Sequence, residues 1–250
     1  MNPSRRAILP LPFAALAAQS PAQSPAQPHD PARAPKIVCV GAHPDDPESG
    51  CGGMLARYAA AGASVTIVYL TRGEAGIPTK SHDEAAAIRT AEAQAACRIL
   101  GAKPVFAGQI DGATVVDKAA ADSFIKLIAA EDPDVLLAHW PIDSHLDHQA
   151  ASTLAFRAWR AGRGRFDLYY YEVELGTQTM GFHPTDYVDI TEVREKKKAA
   201  LLAHKSQGGD RVYRFYHEPM ENQRGREAGC GAAEALVHLA RVRSGSRLPG

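Results

Sequence analysis

The chain has 250 residues, 45% of them hydrophobic and 22% charged, and its 28 basic and 28 acidic residues give a formal net charge of zero. This length is enough for one sizeable α/β domain, and no apolar run is long enough to span a bilayer. The balanced charge argues against a nucleic-acid partner, and four cysteines without a CxxC pair argue against a structural zinc knuckle or a dense disulfide framework.

Residues 1–35 differ in composition from the rest of the chain. Arg5-Arg6 precede the short apolar run AILPLPFAALAA, which leads into the repeat SPAQSPAQP. This order predicts a secretory signal followed by a linker, and the adjacent arginines resemble a twin-arginine export signal to the periplasm or medium. Two prolines interrupt the run, so a disordered arm on a cytoplasmic protein is the alternative. We place the folded domain at 36–250.

From Lys36 onward, predicted strands alternate with predicted helices. The strands are short runs rich in β-branched or aromatic residues, at 36–43, 64–71, 103–108, 134–140, 167–173 and 187–190. The helices have apolar residues at three- and four-residue spacing, at 52–62, 81–101, 117–131, 147–161 and 191–205. Such alternation implies right-handed crossovers. The prediction is an α/β fold, a Rossmann-like three-layer sandwich with a mostly parallel sheet.

Two loops rich in His and Asp come directly after predicted strands. GAHPDDPESGCGG at 41–53 follows the first strand, and HWPIDSHLDHQA at 139–150 follows the fourth. Either loop alone is weak evidence of a functional site, since Asp-rich turns commonly cap helices and a lone His is usually a packed or surface residue. In a parallel sheet, however, the carboxyl ends of the strands meet at one edge. The sequence therefore predicts one site built from both loops.

Within these loops, three residues match the ligand set of a catalytic zinc site. Such a site takes three protein ligands from His and carboxylate and leaves one position for water. His43 and Asp46 lie three residues apart, so one turn can aim both at an ion, and His148 completes the set. We predict Zn²⁺ as the cofactor, although two His and one carboxylate also suit Fe(II) or Co(II).

The neighbours of these ligands suggest catalytic roles. Asp45 is next to a ligand but should point elsewhere, which suits a base that takes a proton from water. His145 is close enough in sequence to the second loop's ligand to reach a reacting oxygen or leaving nitrogen. Asp147 could hold the His145 ring in orientation. The structural alternatives are a helix cap for Asp147 and a turn for Asp143.

At this point the chain resembles the PIG-L/LmbE-type zinc de-N-acetylases, over nearly all of residues 36–243. The motifs that carry the resemblance are AHPDD (42–46), TRGEAG (71–76), RTAEAQAACRILG (89–101), HLDH (145–148) and VDITEVREKKKAALLAHKSQ (188–207). The resemblance implies hydrolysis of the N-acetyl group of an amino sugar, with a small-molecule amino-sugar substrate as the partner. It leaves the oligomeric state open, a homo-oligomer included.

The resemblance also implies roles residue by residue. It makes His43, Asp46 and His148 the zinc ligands, and Asp45 the general base. His145 would stabilise the oxyanion or protonate the leaving group.

Two further roles rest on the resemblance alone. Arg89 resembles a substrate-contacting arginine, and Asp111 lies where some members bind a sugar hydroxyl. The plainer interpretations are an Arg89–Glu92 pair at i,i+3 spacing and an ordinary Asp111-Gly112 turn. This chain has Pro47 before Glu48, where many members continue directly into Glu, so we assign Glu48 no catalytic role.

Three other functions compete with deacetylation. One is an amidase acting on a larger N-acyl group or a thiol conjugate. Another is a metal- or sugar-binding protein without turnover, which would need neither a base nor an acid at the site. Nucleotide binding is disfavoured, because the first strand–helix turn lacks GxGxxG and carries carboxylates where phosphates would sit.

Overall fold

A computed structural model describes residues 33–174 and 177–239 of the chain. The predicted signal, from Arg5-Arg6 through the SPAQ repeat, lies outside these ranges. Within them, no helix is both long and apolar enough to cross a membrane.

A seven-stranded sheet forms the centre of the fold. Its strands are β1 (Lys36–Gly41), β2 (Ser64–Tyr69), β3 (Lys103–Phe106), β4 (Val135–His139), β5 (Asp167–Tyr171), β6 (Asp186–Asp189) and β7 (Ala233–His238). They are ordered β3-β2-β1-β4-β5-β7-β6. Strands β1 to β5 are parallel, whereas β7 runs antiparallel to both β5 and β6. The predicted mostly parallel sheet is confirmed, but β7 was not predicted.

Seven α-helices surround the sheet in the described residues. They are α1 (Asp46–Ala60), α2 (His82–Leu100), α3 (Lys118–Glu131), α4 (Leu146–Gly162), α5 (Arg194–Leu202), α6 (Gly209–Val212) and α7 (Glu218–Ala228). A π-helical turn at Tyr213–His217 joins the last two. The predicted start of α1 at residue 52 is wrong, because the helix already begins at Asp46. Its glycine-rich first half has a low helix propensity, and close packing against the sheet overrides that propensity.

The helices cover both faces of the sheet, as the sandwich prediction requires. One buried cluster packs α1, α2 and α5 against one face and includes Cys39, Leu55 and Ile67. A second cluster packs α3 and α4 against the other face and includes Leu136 and Leu154. The two clusters form two apolar layers on either side of the sheet, so the three-layer prediction is confirmed.

Helix α2 forms where its end signals predict. The Ser81 side chain accepts a hydrogen bond from the Glu84 backbone N–H at 3.4 Å, and the Glu84 carboxylate accepts one from the Ser81 N–H at 3.0 Å. This reciprocal capping box satisfies two donors at the helix start. Gly101 ends the helix at φ 80°, a conformation that glycine adopts without strain.

The strand order reverses between β1 and β4, which are neighbours in the sheet. The chain runs outward from β1 through β2 to β3, then returns to place β4 on the other side of β1. In open parallel sheets, ligands bind beyond the carboxyl ends of the strands at such a reversal. Both His- and Asp-rich loops begin at this point, so the topology brings them to one crevice.

Candidate metal centre and active site

The three predicted metal ligands meet where α1 and α4 begin. His43 lies in the turn between β1 and α1, Asp46 is the first residue of α1, and His148 lies in the first turn of α4. Each offers a ligand atom, and these atoms all lie within 4.8 Å of one another. All three side chains are buried, so water competes little for the ligand atoms.

Asp46 stands between the two histidines. Its Oδ2 lies 3.4 Å from Nδ1 of His43, and its Oδ1 lies 3.3 Å from Nε2 of His148. Oδ2 also accepts a 2.7 Å hydrogen bond from the His43 backbone N–H, which fixes the carboxylate in the turn. The arrangement turns Nδ1 of His43 and Nε2 of His148 towards the same carboxylate. Two imidazoles and one carboxylate fit a catalytic zinc site, which leaves a position for water.

The opposite nitrogen of each histidine contacts a carboxylate. Nε2 of His43 lies 3.1 Å from Asp147 and 3.2 Å from Asp111. Nδ1 of His148 lies 3.2 Å from Asp143. Carboxylates in this position fix the tautomer and orientation of metal-binding imidazoles. The carboxylates therefore hold both histidine rings in the orientation that metal binding requires.

The charges of the cluster favour a cation. Burial alone would lower the pKa of His148, but Asp46 and Asp143 raise it to about 9. The pKa of His43 is likewise raised, against burial, by Asp111, Asp147 and Asp46. A negative field that favours a proton on an imidazole also favours a divalent ion, and the ion must displace that proton.

Asp45 adopts a strained backbone conformation at the start of α1. Its φ is 118°, which is uncommon for a residue with a side chain. Its carbonyl accepts the first helical hydrogen bond, from Ser49, but its side chain makes no capping bond. Instead, one carboxylate oxygen lies 3.3 Å from Nη2 of Arg89. The helix-cap interpretation of the aspartates in this turn therefore does not apply to the Asp45 side chain.

Among the described hydrogen bonds, none joins the Asp147 carboxylate to the His145 ring, so the orienting role through that carboxylate stays a prediction. The carboxylate instead faces His43 and accepts hydrogen bonds from the Gly112 N–H at 2.8 Å and the Thr114 hydroxyl at 2.7 Å. The backbone N–H of Asp147 is what contacts His145, donating to Nδ1 at 3.2 Å. Because His145 is the residue that caps α4, the helix-cap alternative for Asp147 is wrong.

His145 lies at the open side of the cluster and is half-buried. Its ring centroid is 4.7 Å from that of His43 and 4.9 Å from that of His148. Burial, together with the positive charge of these two histidines, lowers its pKa. A neutral ring that accepts at Nδ1 carries its proton on Nε2, so His145 can donate a hydrogen bond from that atom.

The two residues with predicted substrate contacts make internal contacts. Arg89 is 3% exposed and binds the Pro44 carbonyl as well as Asp45. Its alternative partner, Glu92, binds Ser206 instead, so the i,i+3 pair is wrong. Asp111 faces His43 with one oxygen and accepts from the Ala75 N–H at 3.0 Å with the other.

Sequence reasoning missed His139 and the partner of Glu48. His139 ends β4, is buried, and places Nε2 3.1 Å from Asp46 Oδ2. Its position at the very end of a buried strand was the available signal.

Glu48, to which the sequence assigns no catalytic role, accepts a hydrogen bond from the Tyr69 hydroxyl and lies 3.2 Å from Nε2 of His204. Nothing local in the sequence pairs residues so far apart.

The comparisons with known proteins agree with this geometry. The family described as GlcNAc-PI de-N-acetylase (PIG-L) matches residues 38–159, which include every residue assigned to the site above. Diacetylchitobiose deacetylase of Thermococcus kodakarensis is 30% identical over 195 residues, covering 72% of this chain and 73% of that protein.

Two solved structures are similar over most of the chain. N,N'-diacetylchitobiose deacetylase from Pyrococcus horikoshii has a TM-score of 0.70 and 25% identity, covering 82% of this chain and 83% of its own. The 4-carboxy-2-hydroxymuconate hydratase from Pseudomonas putida KT2440 has a TM-score of 0.75 and 25% identity, covering 86% and 100%. Because one architecture carries both chemistries, function has to be argued from the side chains of the site.

Proposed function

The chain belongs to the PIG-L family of de-N-acetylases and is a deacetylase-type hydrolase; from this we propose that it removes the N-acetyl group of an N-acetylglucosamine-type sugar or glycoconjugate, and that its metal is zinc. The observation that carries the proposal is the buried cluster of His43, Asp46 and His148. Beside it lies the carboxylate of Asp45, which makes no capping bond to α1. A divalent ion held there would act as a Lewis acid and lower the pKa of bound water.

Asp45 takes the proton from the attacking water. Burial raises the pKa of its carboxyl group, with Arg89 opposing the shift, and a raised pKa makes the carboxylate a better proton acceptor. The carboxylate is also available for this task because it does not cap α1.

His145 then stabilises the tetrahedral oxyanion from its Nε2–H and is placed to help the amine leave. The Asp147 backbone N–H holds the ring by Nδ1. A donor that forms its bond only as charge develops contributes about 3 kcal/mol to transition-state stabilisation. The C–N bond then breaks as the nitrogen takes up the proton that Asp45 removed from water, and acetate and a free amine are released.

A larger N-acyl substrate is the second candidate, and exposed apolar side chains favour it. Leu146 is 75% exposed, Ile142 53%, Ile110 49% and Met180 45%. The first three directly adjoin site residues in the sequence, and Met180 donates its N–H to the Ile142 carbonyl at 3.0 Å. Exposed apolar side chains next to site residues suit an acyl chain or apolar aglycone better than a bare sugar.

An assay of the purified, metal-defined protein tests these alternatives. The panel contains N-acetylated mono- and disaccharides and the same amines with longer acyl chains. We expect acetate and amine in equal amounts, loss of activity with a chelator, and recovery with added Zn²⁺. Faster release of longer acyl groups would favour the amidase. No release from any N-acyl substrate would contradict the proposal and turn attention to hydration or to binding without turnover.

We also propose export of the chain, which is supported by Arg5-Arg6 and the apolar run that follows them. A cleaved signal predicts a mature N-terminus between about residues 16 and 30. N-terminal sequencing of protein recovered from periplasm or medium measures it. Cytoplasmic protein that starts at Met1 or Asn2 would contradict export.

A further inference from the structure

The side chain of Arg89 is directed at the turn that contains Asp45. Arg89 lies on α2 and is almost fully buried. Nη2 donates a hydrogen bond to the Pro44 carbonyl and lies 3.3 Å from Oδ1 of Asp45. The guanidinium therefore contacts both the peptide group before Asp45 and the carboxylate of Asp45.

These two contacts act on the part of the turn that is strained. The Pro44 carbonyl belongs to the peptide plane from which the φ angle of Asp45 is measured, and that angle is 118°. A non-glycine residue in such a region is strained and keeps that conformation only when its surroundings hold it. Arg89 holds the peptide plane on one side and the carboxylate on the other.

Two glycines of the TRGEAG motif provide the space for the guanidinium. A Cβ at Gly73 would lie 2.4 Å from Nη1 of Arg89, and a Cβ at Gly76 would lie 2.3 Å from the same atom. The Gly76 carbonyl accepts a 3.1 Å hydrogen bond from the Gln207 side chain, which ties this loop to the segment after α5. Any larger residue at either position would have to displace the guanidinium.

We propose that Arg89 is a positioning residue that holds the Asp45 carboxylate in its working orientation, and that Gly73 and Gly76 form the cradle that makes this contact fit. The proposal rests on the proposed function, because it concerns the base of that reaction. It differs from a substrate-contacting role for Arg89, which would appear in KM.

A double-mutant cycle separates the two roles. In Arg89→Lys, we expect full metal content, a KM within about threefold of wild type, and a kcat lower by about ten- to a hundredfold, as for a misplaced catalytic group. Asp45→Asn/Arg89→Lys should be no slower than Asp45→Asn, because Arg89 acts through Asp45. A raised KM with unchanged kcat, or losses that multiply in the double variant, would overturn the proposal. Near-normal kcat in Asp45→Asn itself would instead remove the base from the proposed function.

Gly76→Ala tests the cradle without touching a charge. Its φ lies outside the left-handed region, so the added methyl acts through the contact with Arg89 rather than through backbone strain. We expect a kcat loss that is not additive with that of Arg89→Lys. The control is Arg72→Lys in the same motif, since the Arg72 side chain is exposed and donates a hydrogen bond to the Thr90 hydroxyl, and it should keep wild-type kcat.

A crystal structure of Arg89→Lys gives a result that needs no turnover. We expect the turn to relax, with Asp45 leaving its positive φ and its carboxylate rotating towards the free N–H groups at the start of α1. If Asp45 keeps its conformation in that structure, Arg89 does not position it and the proposal is wrong.

Discussion

Nε2 of His43 lies 3.1 Å from Oδ2 of Asp147, so a direct contact joins the loop after β1 to the first turn of α4. The sequence separation is 104 residues. Because His43 turns its other nitrogen towards Asp46, Asp147 acts on the metal centre through His43.

Asp147→Asn should therefore weaken metal binding. Both carboxylate oxygens of Asp147 take part in the contacts to His43, Gly112 and Thr114. Asparagine has one oxygen and one NH2 group, so it cannot accept all of these hydrogen bonds. We expect metal affinity to fall by about ten- to a hundredfold, as for other orienting carboxylates. Competition with a chelator of known affinity measures it. Unchanged affinity with reduced kcat would return Asp147 to a role through His145.

Replacement of the ligands themselves should have a larger effect on metal binding. His43→Ala, Asp46→Ala and His148→Ala each remove one of three ligands, so each purified variant should lose most of its tightly bound metal. Elemental analysis after dialysis is the measurement. His82→Ala, at an exposed position of α2, is the control and should keep full occupancy. A fully loaded ligand variant would exclude that residue from the centre.

His145→Ala separates chemistry from packing. We expect metal content near that of wild type and a melting temperature lowered by the loss of the α4 cap. The kcat should fall by about a hundred- to a thousandfold, because an oxyanion donor is lost. KM should change little, since that interaction forms only in the transition state. Metal, kcat and KM should be measured on one preparation. A variant with full metal and nearly full kcat would end the catalytic assignment.

Gly50→Ala should destabilise the protein, although alanine is normally the better helix former. A Cβ at Gly50 would lie 2.3 Å from Cδ2 of Tyr171 and 2.9 Å from the Glu172 carbonyl, both in the packed interior. Such overpacking costs about 1–3 kcal/mol. Ala60→Gly, at the exposed end of the same helix, should cost about 0.5–1 kcal/mol from propensity alone. Equilibrium denaturation compares them, and a stabilised Gly50→Ala would contradict the packing argument.

Stability should fall in acid because His217 is buried. Burial, reinforced by the positive charge of Lys197, lowers the pKa of His217 to about 3. Below the usual histidine pKa of 6.5, the unfolded chain binds a proton that the folded chain refuses until about pH 3. The free energy of unfolding therefore decreases as pH falls through this window.

Denaturation curves at several pH values from 7.5 to about 3.5 measure this dependence. His217→Gln removes the group, so its free energy of unfolding should fall less steeply with acid than that of wild type. His82→Gln, an exposed histidine, should follow wild type. A His217→Gln slope equal to wild type would exclude His217 as the source.

The fold class and the place of the site follow from local pattern. Alternating strands and helices predict the layered sheet, and the capping box at Ser81 predicts the start of α2 to within a residue. His43 and Asp46 are close in sequence and therefore close in space. Because parallel strands end at the same edge of the sheet, the second loop is brought to the same place. The antiparallel β7 was missed because its sequence, AEALVH, contains Ala and Glu, which local propensity favours in helices rather than in strands.

The sequence by itself determined that His43, Asp46 and His148 would come together, because His and Asp spacing within a turn is a local property of the backbone and parallel strands end at one edge. Tertiary structure alone decided what the neighbouring side chains contact: the Asp147 carboxylate lies against His43, and Arg89 contacts Asp45 rather than Glu92. Both contacts join segments more than forty residues apart, and their geometry depends on helix packing at distances of about 3 Å. The physical reason is that spacing along a chain restricts near neighbours only, whereas distant partners are selected by the packing of the whole domain.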